Sequence, residues 1–481
     1  MCVNNFFNFA RENDAGEKTR YNYCFNRLMS VVPSGHPWDS IRYNYDTAGR
    51  LAWREDKTGE ERMWYDELGN VRQTKRRIYT PAENCAYQFI TQFDYDSFGR
   101  IRRLTYPDGE GVDYTYNIGG DLIDVIGNNT YVTKLKYNEL GNILEKSYGN
   151  GYITSHTYYT QRGWLQTTYT GGPNNLQDIE YQYDAVGNIT QIKQSATAVA
   201  GMGGEYQQDY TYNNRHRLIH NDFTSTPFGN YRYDVTYSPT GRMGSKTCNS
   251  FPFLGPVSLT YGYDDHTLTH QIRVLSEYYL NEHLQLYWDR DGNLEQIQPA
   301  KSAPRYHLWD DEDKLLASIG GTTCGVYGNA GDGKRAYKLT GICGQHQWNN
   351  GTIIADLSFG DIVIYPNPYI TITTQGYTKH YFAGRQRIAT AIGGGGFCKM
   401  IAPTDNLTNM EHVRKYEMLK YLPSYLTNQT EDHTKNEDIS HQNVRRRSPL
   451  QNARRHQHEV RCYRLRSETF STFADKKIIS C

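Results

Sequence analysis

The sequence predicts an all-β chain: tandem β-hairpins stacked edge to edge into one curved or spiral sheet. Three observations predict it. Composition is the first: 42 Tyr against only 16 Phe, with 43 Gly, is the mixture of strand and turn residues. The second is a heptapeptide, YDTAGRL at 45–51, which returns as YDELGNV at 65, YDSFGRI at 95 and YDAVGNI at 183. The third is its period. Units begin every 18 to 30 residues, about thirteen times, the mark of a repeat architecture.

The first forty residues (1–40) read as an N-terminal extension or the start of the strand region. MCVNNFFNFARENDAGEKTR has no basic stretch followed by an apolar one, so no signal peptide is expected. No run of about 18 apolar residues exists, so no membrane span is expected. The repeat region runs from 41 to 396. Clear copies start at Tyr45, Tyr65, Tyr95, Tyr137, Tyr183 and Trp288. Looser ones start at Tyr116, Tyr159, Tyr212, Tyr237 and Trp309, and eroded ones at Tyr263 and Tyr327.

Each unit contains its own turn. Asp46 is a short acceptor at the first position of a type I turn, and Gly49 takes the positive φ that closes it with a bulge. The pair recurs as Asp66/Gly69, Asp96/Gly99, Asn138/Gly141, Asp184/Gly187 and Asp289/Gly292. Apolar–polar alternation flanks each turn, as in IEYQYD and IRRLTY, which marks antiparallel strands. Second turns, YPDGEG at 106–111 and YGNGY at 148–152, link one hairpin to the next. A lone hairpin is barely stable, so the hairpins are expected to pair side by side. The repeated Tyr is expected to form a ladder of cross-strand aromatic contacts.

The period stops at the GGGG of 393–396. Residues 397–481 form a divergent basic tail: 411–481 holds 14 Lys/Arg against 9 Asp/Glu. Its composition favours poor order or short helices, with MEHVRKYEMLKYL at 410–422 the amphipathic candidate. A nucleic-acid role for it is disfavoured by the lack of interleaved aromatics.

The Y-D-x-x-G-[RN]-[LIV] units resemble the YD repeats of the bacterial RHS (rearrangement hotspot) family. Its relatives include polymorphic-toxin carriers, insecticidal toxin-complex proteins and the animal teneurins. VYGNAGDGKRAYKLTG at 326–341 and the stretch 365–396 are similar to the segment before the family's associated core. The resemblance implies a partial β-shell that encloses or displays a C-terminal effector, secreted or on the cell surface, and not an enzyme. Its implied partners are toxin cargo or neighbouring RHS segments. The alternatives are an adhesin that binds carbohydrate or protein through aromatic strand faces, and a C-terminal tail that is itself a small toxin acting on nucleic acid. No DPxG-type or HxDHLGS-like stretch follows Gly396, so the family's self-cleavage does not carry over, and the chain is expected to be truncated before the core.

No catalytic, cofactor-binding or metal-binding residue is assigned, and no cofactor is expected. Gly328 to Lys334 has the spacing of a phosphate loop, but Arg335 replaces its Ser/Thr and a strand follows it. The turn aspartates read as caps and not as calcium ligands. His380, His412, His433, His441, His456 and His458 have no partners at metal spacing. The nine cysteines (2, 24, 85, 248, 324, 343, 398, 462 and 481) fit no metal spacing and read as scattered free thiols.

Overall fold

The computed structural model describes residues 6–394 except 13–15, 17, 35–38, 82–85, 200–202, 227, 252–254, 264–271, 278–281, 321–322, 350–351 and 384–385. The expected helix at 410–422 and every histidine named beyond His380 lie outside the described residues. Among the described residues, thirty-three strands follow one another, from β1 (Phe6–Glu12) to β33 (Gln386–Gly394). Each pairs antiparallel with the next in sequence, giving one continuous meander. No described pairing joins β33 to β1, so the sheet stays open. Among the described residues, no helix is long and apolar enough to cross a membrane.

The repeat turns behave as their residues dictate. Between β4 (Ile41–Tyr45) and β5 (Leu51–Asp56), the Gly49 N–H donates to the Asp46 carbonyl at 2.9 Å and the Asp46 N–H to the Arg50 carbonyl at 2.8 Å. The register slips between Asn44 and Tyr45, and Gly49 sits at φ 84°. This is a type I turn closed by a left-handed residue in a bulge. His216 (φ 57°) and Asp313 (φ 61°) fill the glycine position in two eroded copies. These residue types tolerate left-handed backbone better than most.

Gly141 (φ 78°) isolates this effect, because a Cβ there would meet nothing within 4 Å. Gly141→Ala is therefore expected to cost about 1–2 kcal/mol from backbone conformation alone. Gly141→Asn should cost less. Urea denaturation of the two variants measures the difference, and equal losses would contradict the turn assignment.

Two copies are framed differently from the sequence reading. Tyr158, not Tyr159, takes the aromatic position: it pairs with Leu165, while Tyr159 opens a turn one residue longer, closed by Gly163 N–H to Tyr159 O at 2.8 Å. The eroded copy assigned to Tyr327 is centred two residues later. Asn329 pairs with Arg335, and Ala330 to Lys334 form the turn. The phosphate-loop spacing is thus a repeat turn, with Gly333 at φ 81°. The eroded spellings hid both frames.

Since the strands alternate in direction, all repeat turns lie along one rim of the sheet and all linking turns along the other. The buried apolar residues gather where late strands meet early ones. Ile78, Tyr87 and Phe89 pack with Leu308 to Ile372 in one cluster; Leu104, Val112 and Val132 pack with Tyr381 and Ile388 in a second.

Candidate functional site

Two arrangements build the wall: a ladder of side chains along the repeat rim, and a seam where the ribbon meets itself. In the ladder, most aromatics of the repeat donate to the carbonyl of the aliphatic residue that ends the preceding repeat. Tyr65 Oη reaches Leu51 O at 2.7 Å, Tyr95 reaches Val71 O at 2.9 Å, and Tyr116 reaches Ile101 O at 3.0 Å. Tyr158, Tyr183, Tyr212 and Tyr237 do the same to Ile143, Leu165, Ile189 and Leu218. Where the repeat spells Trp, the indole N–H makes the bond: Trp288 to Ile272 O and Trp309 to Leu294 O, both at 2.9 Å. Asn329 completes the series through its amide to Leu315 O at 3.0 Å.

The ring–ring ladder expected from the sequence is replaced by this one. Equivalent aromatics on successive hairpins are two strands, about 9.6 Å, apart, beyond the usual 4.5–7 Å of ring contact. A hydroxyl or indole N–H spans the gap to a carbonyl, and Phe cannot, which accounts for the choice of Tyr and Trp. Tyr95→Phe should remove one such bond and lower stability by about 1 kcal/mol in urea unfolding. No loss would mean the hydroxyl is idle.

The rest of the heptapeptide is local. Asp46 Oδ1 accepts the Arg50 N–H at 2.8 Å and Oδ2 accepts Arg50 Nε at 2.8 Å. Asp66 treats Asn70 likewise, at 2.8 and 2.9 Å. These bonds hold the turn carboxylates below their usual range, led by the Arg50 N–H at Asp46 and the Asn70 side chain at Asp66. The sixth-position arginine then lies over the next aromatic: Arg50 on Tyr65 at 4.4 Å, Arg100 on Tyr116 and Arg217 on Tyr237 at 4.3 Å.

The seam forms about twenty-one strands along the ribbon. Lys57, in the linking turn between β5 and β6 (Gly59–Tyr65), donates to Asp39 at 2.7 Å and to Asp310 at 2.9 Å. Asp310 opens the repeat turn between β26 (Arg305–Trp309) and β27 (Leu315–Gly320). Burial alone would lower the Lys57 pKa, but the two carboxylates hold it well above its usual value. Beside it, Asp56 accepts Thr58 Oγ1 at 2.5 Å, the Thr58 N–H at 2.9 Å and the Gly331 N–H at 2.8 Å. Arg76 (3.7 Å) and Arg54 (3.9 Å) complete its surroundings. Burial would raise Asp56; Arg76 above all, then Thr58 and Gly331, keeps it lowered.

A second lock lies about four strands further along the ribbon, at a similar offset of about twenty-two strands. Glu110 lies in the linking turn between β9 (Ile101–Thr105) and β10 (Gly111–Tyr116). It accepts Lys379 Nζ at 2.6 Å, Tyr381 Oη at 3.0 Å and Tyr131 Oη at 2.5 Å. Lys379 also pairs with Asp108, and Tyr106 Oη donates to His380 O at 2.9 Å. Lys379, His380 and Tyr381 belong to β32 (Gly376–Ala383).

Sequence reading missed both locks, since each joins residues more than 250 positions apart; a charged residue inside a linking turn was the available signal. It also took the cysteines for free thiols. Cys24 and Cys324, both buried, each take part in a disulfide, whereas Cys248 is a free buried thiol. Strand pairing brings distant cysteines within reach in ways that sequence spacing does not reveal.

Known proteins resemble this chain in sequence and in fold. Residues 13–306 match the Teneurin YD-shell family. Toxin subunit YenC1 of Yersinia entomophaga is 25% identical over 307 residues, covering 60% of this chain and 26% of that protein. Double-stranded DNA deaminase toxin A of Burkholderia cenocepacia is 28% identical over 128 residues, covering 26% of this chain and 8% of the toxin. The chain thus spans about a quarter or less of these relatives. Among solved structures, the TcdB2-TccC3 crystal structure aligns with a TM-score of 0.59 at 17% identity, over 82% of this chain and 22% of the other. Its form without the hypervariable C-terminal region gives 0.60 at 18%, over 83% and 22%. Those two likenesses show the fold. With the family matched over most of the chain and its repeats laddered as described, the chain belongs to the Teneurin YD-shell family of RHS/YD-repeat proteins, and its described part is a structural wall.

Proposed function

We infer that this wall encloses a C-terminal effector, the polymorphic-toxin carrier arrangement, with residues 397–481 as the cargo end. The observation that carries it is the return of the ribbon: the repeat rim at Asp310 and Gly331 docks on the linking rim at Lys57 and Asp56. At about 4.8 Å per strand, twenty-one strands make a perimeter of roughly 100 Å, a circle roughly 30 Å across with a lumen of roughly 20 Å. A folded domain of the tail's size is roughly 30 Å across. Cargo inside would therefore be held incompletely folded.

The same geometry supports a neighbouring YD strip as partner. Leu68, Phe98, Ile118, Leu140 and Val186 stand at the tips of early repeat turns and are 64% or more exposed. They lie on the rim that the late repeats use for docking, so a second strip could cover them. The disulfides of Cys24 and Cys324 suit an oxidising, extracellular setting. The adhesin alternative has less support, because the polar ends of the repeated aromatics are already bonded within the wall.

Limited trypsin digestion of the full chain tests enclosure, since residues 411–481 offer 14 Lys/Arg. An enclosed tail survives in native buffer and is cut in urea. A tail removed at once, leaving the repeat region intact, would replace enclosure with display.

A further inference from the structure

Where late strands descend on the early repeats they leave a cleft of about 590 Å³. That volume falls within the range of small-molecule sites. Five cations line it, Arg54, Arg76, Lys334, Arg335 and Arg387, against two carboxylates, Glu61 and Asp332. Both carboxylates are already engaged. Glu61 takes Arg54 at 2.6 Å, and Asp332 stands 3.2 Å from Lys334 and 3.6 Å from Arg54.

The arginines are not fully used. Arg76 donates one terminal nitrogen to Thr58 Oγ1 at 2.6 Å, but its Nη1 has no hydrogen-bond partner, although only 6% of the side chain is exposed. Arg54 Nε has no hydrogen-bond partner either, its nearest carboxylate being Asp56 at 3.9 Å, in a side chain 8% exposed. Buried guanidinium N–H groups without acceptors are uncommon in native proteins. Two of them beside one cationic cleft call for an acceptor. Tyr365 and Phe382, with Pro366 and Pro368, give the cleft an apolar side.

We propose that this cleft binds a small ligand with an oxyanion (carboxylate, sulfate or phosphate) at one end and a ring or apolar face at the other. The oxyanion is held by Arg76 and Arg54 from the early repeats and by Lys334 and Arg387 from the late ones. The ring face lies against Tyr365 and Phe382. Because the site draws on both sides of the seam, an occupied cleft ties them together.

Titration calorimetry on the full chain at low ionic strength tests this, with glucuronate, inorganic sulfate, inorganic phosphate and glucose as probes. Saturable binding of at least one anion, with none of glucose, is expected. Binding of sulfate or phosphate alone identifies a tetrahedral oxyanion, and binding of glucuronate alone a sugar acid; either outcome supports the site. Arg387→Gln should weaken binding by about tenfold, the value of one charge-assisted hydrogen bond. The Lys334→Gln, Arg387→Gln double variant should abolish it. Both side chains are exposed at the cleft mouth, so the wall should keep its unfolding profile. No saturable heat with any anion, equal binding of glucose, or binding indifferent to the double variant would overturn the proposal.

Discussion

Glu110→Ala is expected to lower stability by about 3–5 kcal/mol, the loss typical of removing one partner from a buried ion pair. The change removes the acceptor of Tyr381 and Tyr131 and leaves Lys379 with Asp108 alone; all three donate to that carboxylate within 3.0 Å. Glu110 is 5% exposed and Lys379 4%, so water cannot readily replace the lost acceptor. Removing the cation as well, in a Glu110→Ala, Lys379→Met double variant, should recover a good part of the loss. Urea unfolding of the single and double variants decides the matter. A double variant no better than the single would show that the pair is not coupled.

The same cluster sets a pH window. Burial would raise Glu110, but Lys379, Tyr131 and the Asn128 N–H hold it below the usual carboxylate range. A depressed carboxylate contributes stability above its unfolded pKa, about 4.3, and loses it as pH falls through the folded value. Tyr131 runs the other way. Burial first, then its bond to Glu110, pushes it up to about 12. Its contribution is complete below its unfolded value of about 10 and is lost as pH rises from there toward 12. The seam should therefore hold across neutral pH and loosen below about pH 4 and above about pH 10. Hydrogen exchange at 376–383 across that range is the measurement. Loosening near neutrality would contradict it.

Asp56→Ala should produce a loss of similar size, about 3–5 kcal/mol, but in a different place. Asp56 holds the Gly331 N–H at 2.8 Å and counters Arg76 and Arg54, all away from water. Without it the repeat turn of Ala330 to Lys334 loses its anchor on the early rim. The hairpin of β5 and β6 keeps its own pairing, Trp53 with Arg62 and Asp56 with Gly59. Faster exchange should appear at 329–337 and at Thr58, whose N–H also loses its acceptor, with little change across the rest of 51–65. Uniform acceleration over both segments would mean that Asp56 supports the early hairpin and not the seam.

The repeat was legible because its information is local. Asp46 and Gly49 lie three residues apart, and a turn needs nothing beyond them to choose its type. The same locality explains the misframed copies. Where Asp became Tyr159 or Ala330 and the aromatic became Asn329, the spelling eroded while the geometry survived, because neighbouring hairpins impose the register. The purpose of the tyrosines was half legible. Their spacing announced a ladder, but the partner, a carbonyl one repeat back, emerges only when the strands are paired.

The amino-acid sequence by itself determined the all-β class, the hairpin unit, its turn chemistry and the continuation of the ribbon, since each depends on contacts within about thirty residues. Only the tertiary structure decided where the ribbon comes back on itself. Lys57 meets Asp310 across 253 positions and Glu110 meets Lys379 across 269. Such encounters depend on the twist accumulated over some twenty strands, a small angle at each step that no single repeat encodes.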